Sequence, residues 1–277
     1  MGATRLPSAS SARPAATVAR RPPVLDTTVI VCPDRQHIAE RAVDLLVDGL
    51  RAAIARRGEA HLALTGGSSA EALFGALCSG DRSQRVDWGR VHVWQGDERF
   101  VPWSHPDSNW SAARRGWLDH PDGPAIPAGQ LHPIPVDEAI ASGRDVAWAA
   151  ERYSGTLTTL LPQVEGLPAF DVVLLGVGSD GHILSTFPGT VDPATEAPAA
   201  MAVEAPTHIK PHVARVTLAP HLLRVAGLVI VMVPGTAKAD VVAACFSALR
   251  DPVRLPAQQA VRPNAVWLLE PGSAAGL

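Results

Sequence analysis

The chain has no apolar run of the roughly 18 residues that a membrane-spanning helix requires, so a membrane partner is not expected. It also lacks any excess of positive charge. Lys and Arg number 24 against 27 Asp and Glu, for a net charge of -3, and this balance gives no electrostatic reason to expect nucleic acid. Any basic site must therefore be local. Cysteine is scarce: Cys32, Cys78 and Cys245 are odd in number, widely spaced and set in apolar or amphipathic segments. That usage fits buried free thiols in the cytoplasm rather than a disulfide framework. Residues 1 to 23 hold no acidic residue, no hydrophobic periodicity and no apolar core of a secretory signal, and they read as a disordered tail.

What is present is ample material for a core. Of 277 residues, 47% are hydrophobic and 18% charged, far from the composition of a disordered chain. From residue 26 onward, short apolar runs alternate with helical periodicity, the pattern of an α/β domain with a mostly parallel sheet. The expected strands are Thr27 to Val31, His61 to Leu64, Val91 to Trp94, Phe170 to Leu175, Arg215 to Leu218, Leu228 to Val233 and Ala265 to Leu269. Ile38, Ala42, Leu45, Leu46, Ala53 and Ile54 recur at helical spacing, as do Val146, Ala149, Tyr153, Leu157 and Leu160. The longest irregular segments, Trp103 to Pro135 and Pro188 to Pro211, are proline-rich and read as site-forming loops of one domain over residues 24 to 277.

The strand at Phe170 ends in Gly176-Val177-Gly178-Ser179-Asp180-Gly181-His182. Ligands of open α/β sheets bind just outside the carboxyl ends of strands, so Asp180 and His182 stand where an oriented base belongs. The same letters satisfy G-x-G-x-x-G, but a dinucleotide site needs a long helix to follow. Pro188, Gly189, Pro193 and Pro198 leave no room for one, so no nicotinamide or flavin is expected. His208 and His212 have the spacing of a helical metal pair. Pro211 lies between them and disfavours that helix, and no metal is expected.

Three further segments carry chemistry. After the second strand, Thr65-Gly66-Gly67-Ser68-Ser69-Ala70-Glu71 offers bare backbone N–H groups at the start of a helix, a phosphate cradle. Ser68 and Glu71 have capping-box spacing, which makes Ser68 the expected start of that helix. The segment is neither a Walker A loop nor a nucleophile elbow. After the third strand, Asp97-Glu98-Arg99 places three charges at a strand end, where Arg99 could clamp an anion and Asp97 orient a base or hydroxyl. A surface ion pair from Asp97 or Glu98 to Arg99 is the plainer alternative, and Ser108 and Asn109 suit the cap of the next helix. Late in the chain Lys238 begins a helix, an end that repels cations unless an anion lies between, and Lys210 and Arg215 add two more cations.

Taken in order, TGGSS, GDERFVPWSHPDSN, LGVGSDGHILSTFPG, IKPHVARVTL and VPGTAKA resemble the 6-phosphogluconolactonase family of the glucosamine-6-phosphate isomerase superfamily, from about residue 30 to the end. The resemblance implies a single Rossmann-like three-layer α/β domain with helices on both faces. It implies hydrolysis of 6-phosphogluconolactone to 6-phosphogluconate, without cofactor, in the oxidative pentose phosphate pathway, by a cytoplasmic enzyme whose partner is a small sugar-phosphate lactone. Carried over by motif, His182 is the general base, with Asp97, Arg99 and Asp180 beside it. Gly66, Gly67, Ser68, Arg99, Lys210, Arg215 and Lys238 fall on sugar-phosphate positions. The loop departs from the family's usual Pro-Asp-Gly-His-Thr-Ala-Ser-Leu-Phe-Pro at Ser179, Ile183, Leu184, Ser185 and Thr186. Ile183 resembles the version found in the related glucosamine-6-phosphate deaminases, whose usual DEY-type segment is absent here. A deaminase and a non-catalytic sugar-phosphate sensor are the alternatives.

Overall fold

The computed structural model describes residues 26–79, 81–192 and 197–277. The expected tail at residues 1 to 23 lies outside the described residues. In chain order the strands are β1 (Thr28–Val31), β2 (Ala60–Leu64), β3 (Val91–Gln95), β4 (Asp97–Arg99), β5 (Leu131–His132), β6 (Gln163–Val164), β7 (Leu167–Pro168), β8 (Val172–Gly176), β9 (Ala200–Val203), β10 (Arg215–Leu218), β11 (Leu228–Val233) and β12 (Ala265–Leu269). The α-helices are α1 (Arg35–Arg57), α2 (Ser68–Cys78), α3 (Asn109–Ala113), α4 (Val136–Ala141), α5 (Val146–Leu160) and α6 (Ala239–Cys245).

Seven strands form one parallel sheet in the order β1-β12-β11-β8-β2-β3-β5. Its central strands are buried along their length, as continuous β-branched and aliphatic runs require when both faces are covered. One face packs on α1 and α2, through Ile38, Ala42, Leu46, Leu50, Leu73 and Leu77. The other packs on α5, through Ala149, Tyr153 and Leu157. Both helical periodicities read from the sequence are therefore core-facing, except that Leu160 is 49% exposed because it closes the last turn of α5, beyond the sheet.

The Arg215 strand is the main departure. It does not join the parallel sheet but is the centre of a second, antiparallel sheet, β4-β10-β9. The Asp97-Glu98-Arg99 segment, expected as a strand-end loop, is itself the edge strand β4 of that sheet. The two long segments expected as loops also carry short elements: α3 and β5 lie in the first, β9 in the second. Strands of two to four residues leave too little periodicity to be read from sequence.

The parallel order reverses between β8 and β2. From β2 the sheet grows outward through β3 and β5, and from β8 through β11 and β12. The carboxyl ends of β2 and β8 diverge there, opening the crevice where ligands of such sheets bind.

Candidate active site

The crevice is a cavity of about 200 Å³, lined from four strand ends. Sites for drug-sized ligands run to about 300–1,000 Å³, so this one suits a small metabolite. β2 delivers Thr65, Gly66 and Gly67, followed by Ser69 in the first turn of α2. Gly67 is the N-cap of α2 at φ +79°, a left-handed value open to glycine, and Ser68 is the first helical residue. The helix thus starts at Ser68, as the spacing to Glu71 led one to expect, with Gly67 in the N-cap position. The Ser68 side chain is outside the described residues. The cavity meets the first-turn amides of an 11-residue helix, a natural seat for an anion.

β8 delivers Gly176, Val177, Gly178 and His182. The turn closes through Gly178 N–H donating to His182 O at 2.9 Å and Gly181 N–H donating to Gly178 O at 3.0 Å. Position 178 must be glycine because a Cβ there would stand 2.1 Å from His182 Nδ1 and 2.6 Å from Asp180 Oδ1. In the space so left, Asp180 Oδ1 accepts from both His182 N–H, at 3.1 Å, and the imidazole Nδ1, at 2.5 Å. This fixes the tautomer with the proton on Nδ1 and leaves Nε2 as the ring nitrogen free to act as a base. Burial raises the Asp180 carboxyl pKa, but the hydrogen bonds from His182 and His208 outweigh it and hold the group well below the usual carboxylate range.

The third wall is β4 with its ladder partner. Asp97, Arg99 and Arg215 all line the cavity, and Arg99 and Arg215 are directly opposite in the β4–β10 register. Like charges opposite each other in a ladder repel, unless an anion lies between them. The Arg99 guanidinium donates to Asp107 O at 2.6 Å and that of Arg215 to Pro211 O at 3.3 Å, but both Nε atoms are buried without a partner. Burial lowers the Arg215 pKa, with Asp97 opposing and Arg99 adding to the effect. Asp97 is held rigidly: Ser185 donates to Oδ2 at 2.5 Å and Asn109 Nδ2 to Oδ1 at 3.2 Å.

Glu98 behaves differently from its neighbours. It is fully buried, accepts from Gln95, Ser108 and the backbone N–H groups of Arg99, Asn109 and Trp110, and so pins the start of α3 to β4. Burial pushes its pKa up while those hydrogen bonds act the other way. The surface pair of Asp97 or Glu98 with Arg99 does not form, because both carboxylates are satisfied from inside. Ser108 caps α3 as expected, donated to by Ser111 N–H at 3.1 Å.

The fourth contribution is Lys238, which precedes α6 and lines the cavity. Burial lowers its pKa, and the nearby Arg35 charge adds to this. Lys210 is not brought in: it is exposed and stands outside the cavity lining, because the chain turns away before Arg215 re-enters through β10. Three cations and one carboxylate, Asp97, thus line the cavity of a chain with net charge -3. Asn109, Ser185 and Leu184, none of them singled out as site residues by sequence pattern, complete it or its immediate support. Among the described residues, no group of His, Cys, Asp or Glu is arranged to hold a metal. Among those residues, too, no helix is long and apolar enough to cross a membrane.

Residues 33–268 match the family described as Glucosamine-6-phosphate isomerases/6-phosphogluconolactonase. The chain is 37% identical over 254 residues to the 6-phosphogluconolactonase of Mycobacterium tuberculosis, covering 91% of this chain and 99% of that one. It is 35% identical over 241 residues to the 6-phosphogluconolactonase of Synechocystis, covering 86% and 92%. The solved structure of the Trypanosoma brucei 6-phosphogluconolactonase superposes with a TM-score of 0.79 at 27% identity, over 91% of this chain and 99% of that one.

Proposed function

Because the chain belongs to the family of glucosamine-6-phosphate isomerases and 6-phosphogluconolactonases, we infer that it hydrolyses 6-phosphogluconolactone to 6-phosphogluconate, a step of the pentose phosphate pathway. The observation that carries the mechanism is the meeting, in one cavity, of a carboxylate-oriented histidine with three cations and a helix N-terminus. The helix amides and Lys238 take the phosphate, whose two negative charges match that end of the cavity.

His182 Nε2 removes a proton from a water molecule as its oxygen attacks the lactone carbonyl carbon. Negative charge develops on the carbonyl oxygen, and the guanidinium of Arg99, which lines the cavity, is the group that receives it. Collapse of the tetrahedral intermediate breaks the bond from that carbon to the ring oxygen. The imidazolium returns its proton to this oxygen, leaving a hydroxyl and a carboxylic acid, which ionises by losing its proton to solvent. Asp180 holds the ring and stabilises the imidazolium throughout, as the acid member of a triad does. No step calls for a cofactor. A cytoplasmic location fits the three free cysteines.

The test follows the decay of freshly generated 6-phosphogluconolactone with and without protein, after subtracting spontaneous hydrolysis. Acceleration is expected. No acceleration, with ammonia released from glucosamine 6-phosphate, would replace this reading by a deaminase; ligand binding without turnover of either would leave a sensor.

A further inference from the structure

Asp180 carries a second histidine. Its Oδ1 meets His182, and its Oδ2 lies 2.8 Å from Nε2 of His208, in the segment between β9 and β10. Both imidazoles lie against the Phe187 ring, whose centroid is 4.9 Å from that of His182 and 5.8 Å, edge-on, from that of His208. The His208 side chain is 50% exposed while the carboxylate it reaches is 18% exposed, so a surface residue closes the inner pair from outside. His212 does not share this task. Its Nδ1 is engaged with Pro206 O at 2.7 Å.

We infer that His208 is a positioning residue for the hydrolysis: by donating Nε2–H to Asp180 Oδ2 it fixes the carboxylate plane against His182 and takes up part of its negative charge. The inference rests on His182 being the base. A carboxylate held at one oxygen can still turn about its side-chain bond; held at both, it presents Oδ1 to Nδ1–H in a single orientation. The charged and titratable groups around the contact are His182 and Asp180 from the turn after β8, and Arg215 from β10, whose guanidinium carbon lies 5.2 Å from the Phe187 centroid. Lys210, His212 and Glu204 belong to the segment that carries His208. With His208 in place, the negative charge that Asp180 applies to His182 is shared. Without it the full charge acts on His182 and favours its protonated form.

The experiment measures kcat and KM across pH for the full chain, for His208→Ala and for His208→Gln, whose amide can still donate to Oδ2. Removing one hydrogen bond is expected to lower kcat roughly fivefold in His208→Ala, with KM unchanged. The acid limb of the kcat profile should move to higher pH by roughly half a unit. His208→Gln should recover most of the lost kcat. A merely structural tether would lower thermal stability while leaving kcat and the acid limb alone. Wild-type kcat and acid limb in His208→Ala, or a Gln variant no better than Ala, overturns the inference. His182→Ala is run alongside: if it is inactive while His208→Ala is wild-type, this inference alone fails, and if it is active, the base assignment fails and takes this inference with it.

Discussion

Asp180 Oδ1 lies 2.5 Å from His182 Nδ1, two residues away along a turn that only glycine at 178 leaves room for. The short separation in sequence makes the pair a local device, set by the turn rather than by long-range packing. Its function depends on charge as well as shape. Asp180→Asn keeps the size of the side chain but removes the anion that stabilises an imidazolium and can leave the ring in the wrong tautomer. The expected result is a kcat about a hundredfold lower or more, with KM little changed. Steady-state kinetics on the lactone, with spontaneous decay subtracted, reads both.

Lys238 is expected to act on binding. Burial lowers its pKa, so it loses its charge at a lower pH than an ordinary lysine does. It holds a phosphate only while protonated, hence KM should be flat below that point and rise as pH passes through it. Lys238→Ala should raise KM by about ten- to a hundredfold with a smaller effect on kcat, the size of one charge-assisted hydrogen bond. The alkaline rise in KM should be absent from this variant.

A separate pH dependence belongs to stability. On the edge strand β5, His132 stacks on Trp94 at 3.9 Å and its Nε2 is 2.9 Å from His92 Nδ1. Burial, and then the neighbouring His92 and His61, lower its pKa to about 4. An unfolded histidine titrates near 6.5, so between those values the unfolded chain binds the extra proton. This contribution to stability is therefore complete above the unfolded pKa and is lost as pH falls towards the folded one. Urea unfolding should show a loss on the order of 1 kcal/mol between about pH 7.5 and about pH 5, solvent screening of a half-buried ring included, and His132→Phe, which keeps the stack, should show a smaller one.

The residues that act through a local turn were legible in the sequence, and those that act through the second sheet were not. Gly66, Gly67, His182 and Lys238 each follow a long apolar strand, and strand-end position alone brought them to the crevice, with Asp180 bonded to His182 from outside the lining. Arg99 and Arg215 were singled out as cations, but nothing in either segment shows that three- and four-residue strands pair them face to face. Ser185 reaches Asp97 across 88 residues, and Asn109 reaches it from the first turn of α3. Both contacts are tertiary, made from outside the strand that carries Asp97. Lys210 stands outside the lining for the complementary reason: proximity in sequence to Arg215 does not carry across the turn that precedes β10. The parallel sheet itself was readable, since its longer strands are fully buried and carry an uninterrupted apolar signal.

The central claim is that His182 is the base, and the most direct measurement is the enzyme-dependent decay of 6-phosphogluconolactone by His182→Ala beside the wild type, at matched folding. The account predicts that kcat falls by about a hundredfold or more while binding of 6-phosphogluconate is retained. A folded His182→Ala variant with wild-type kcat would contradict it.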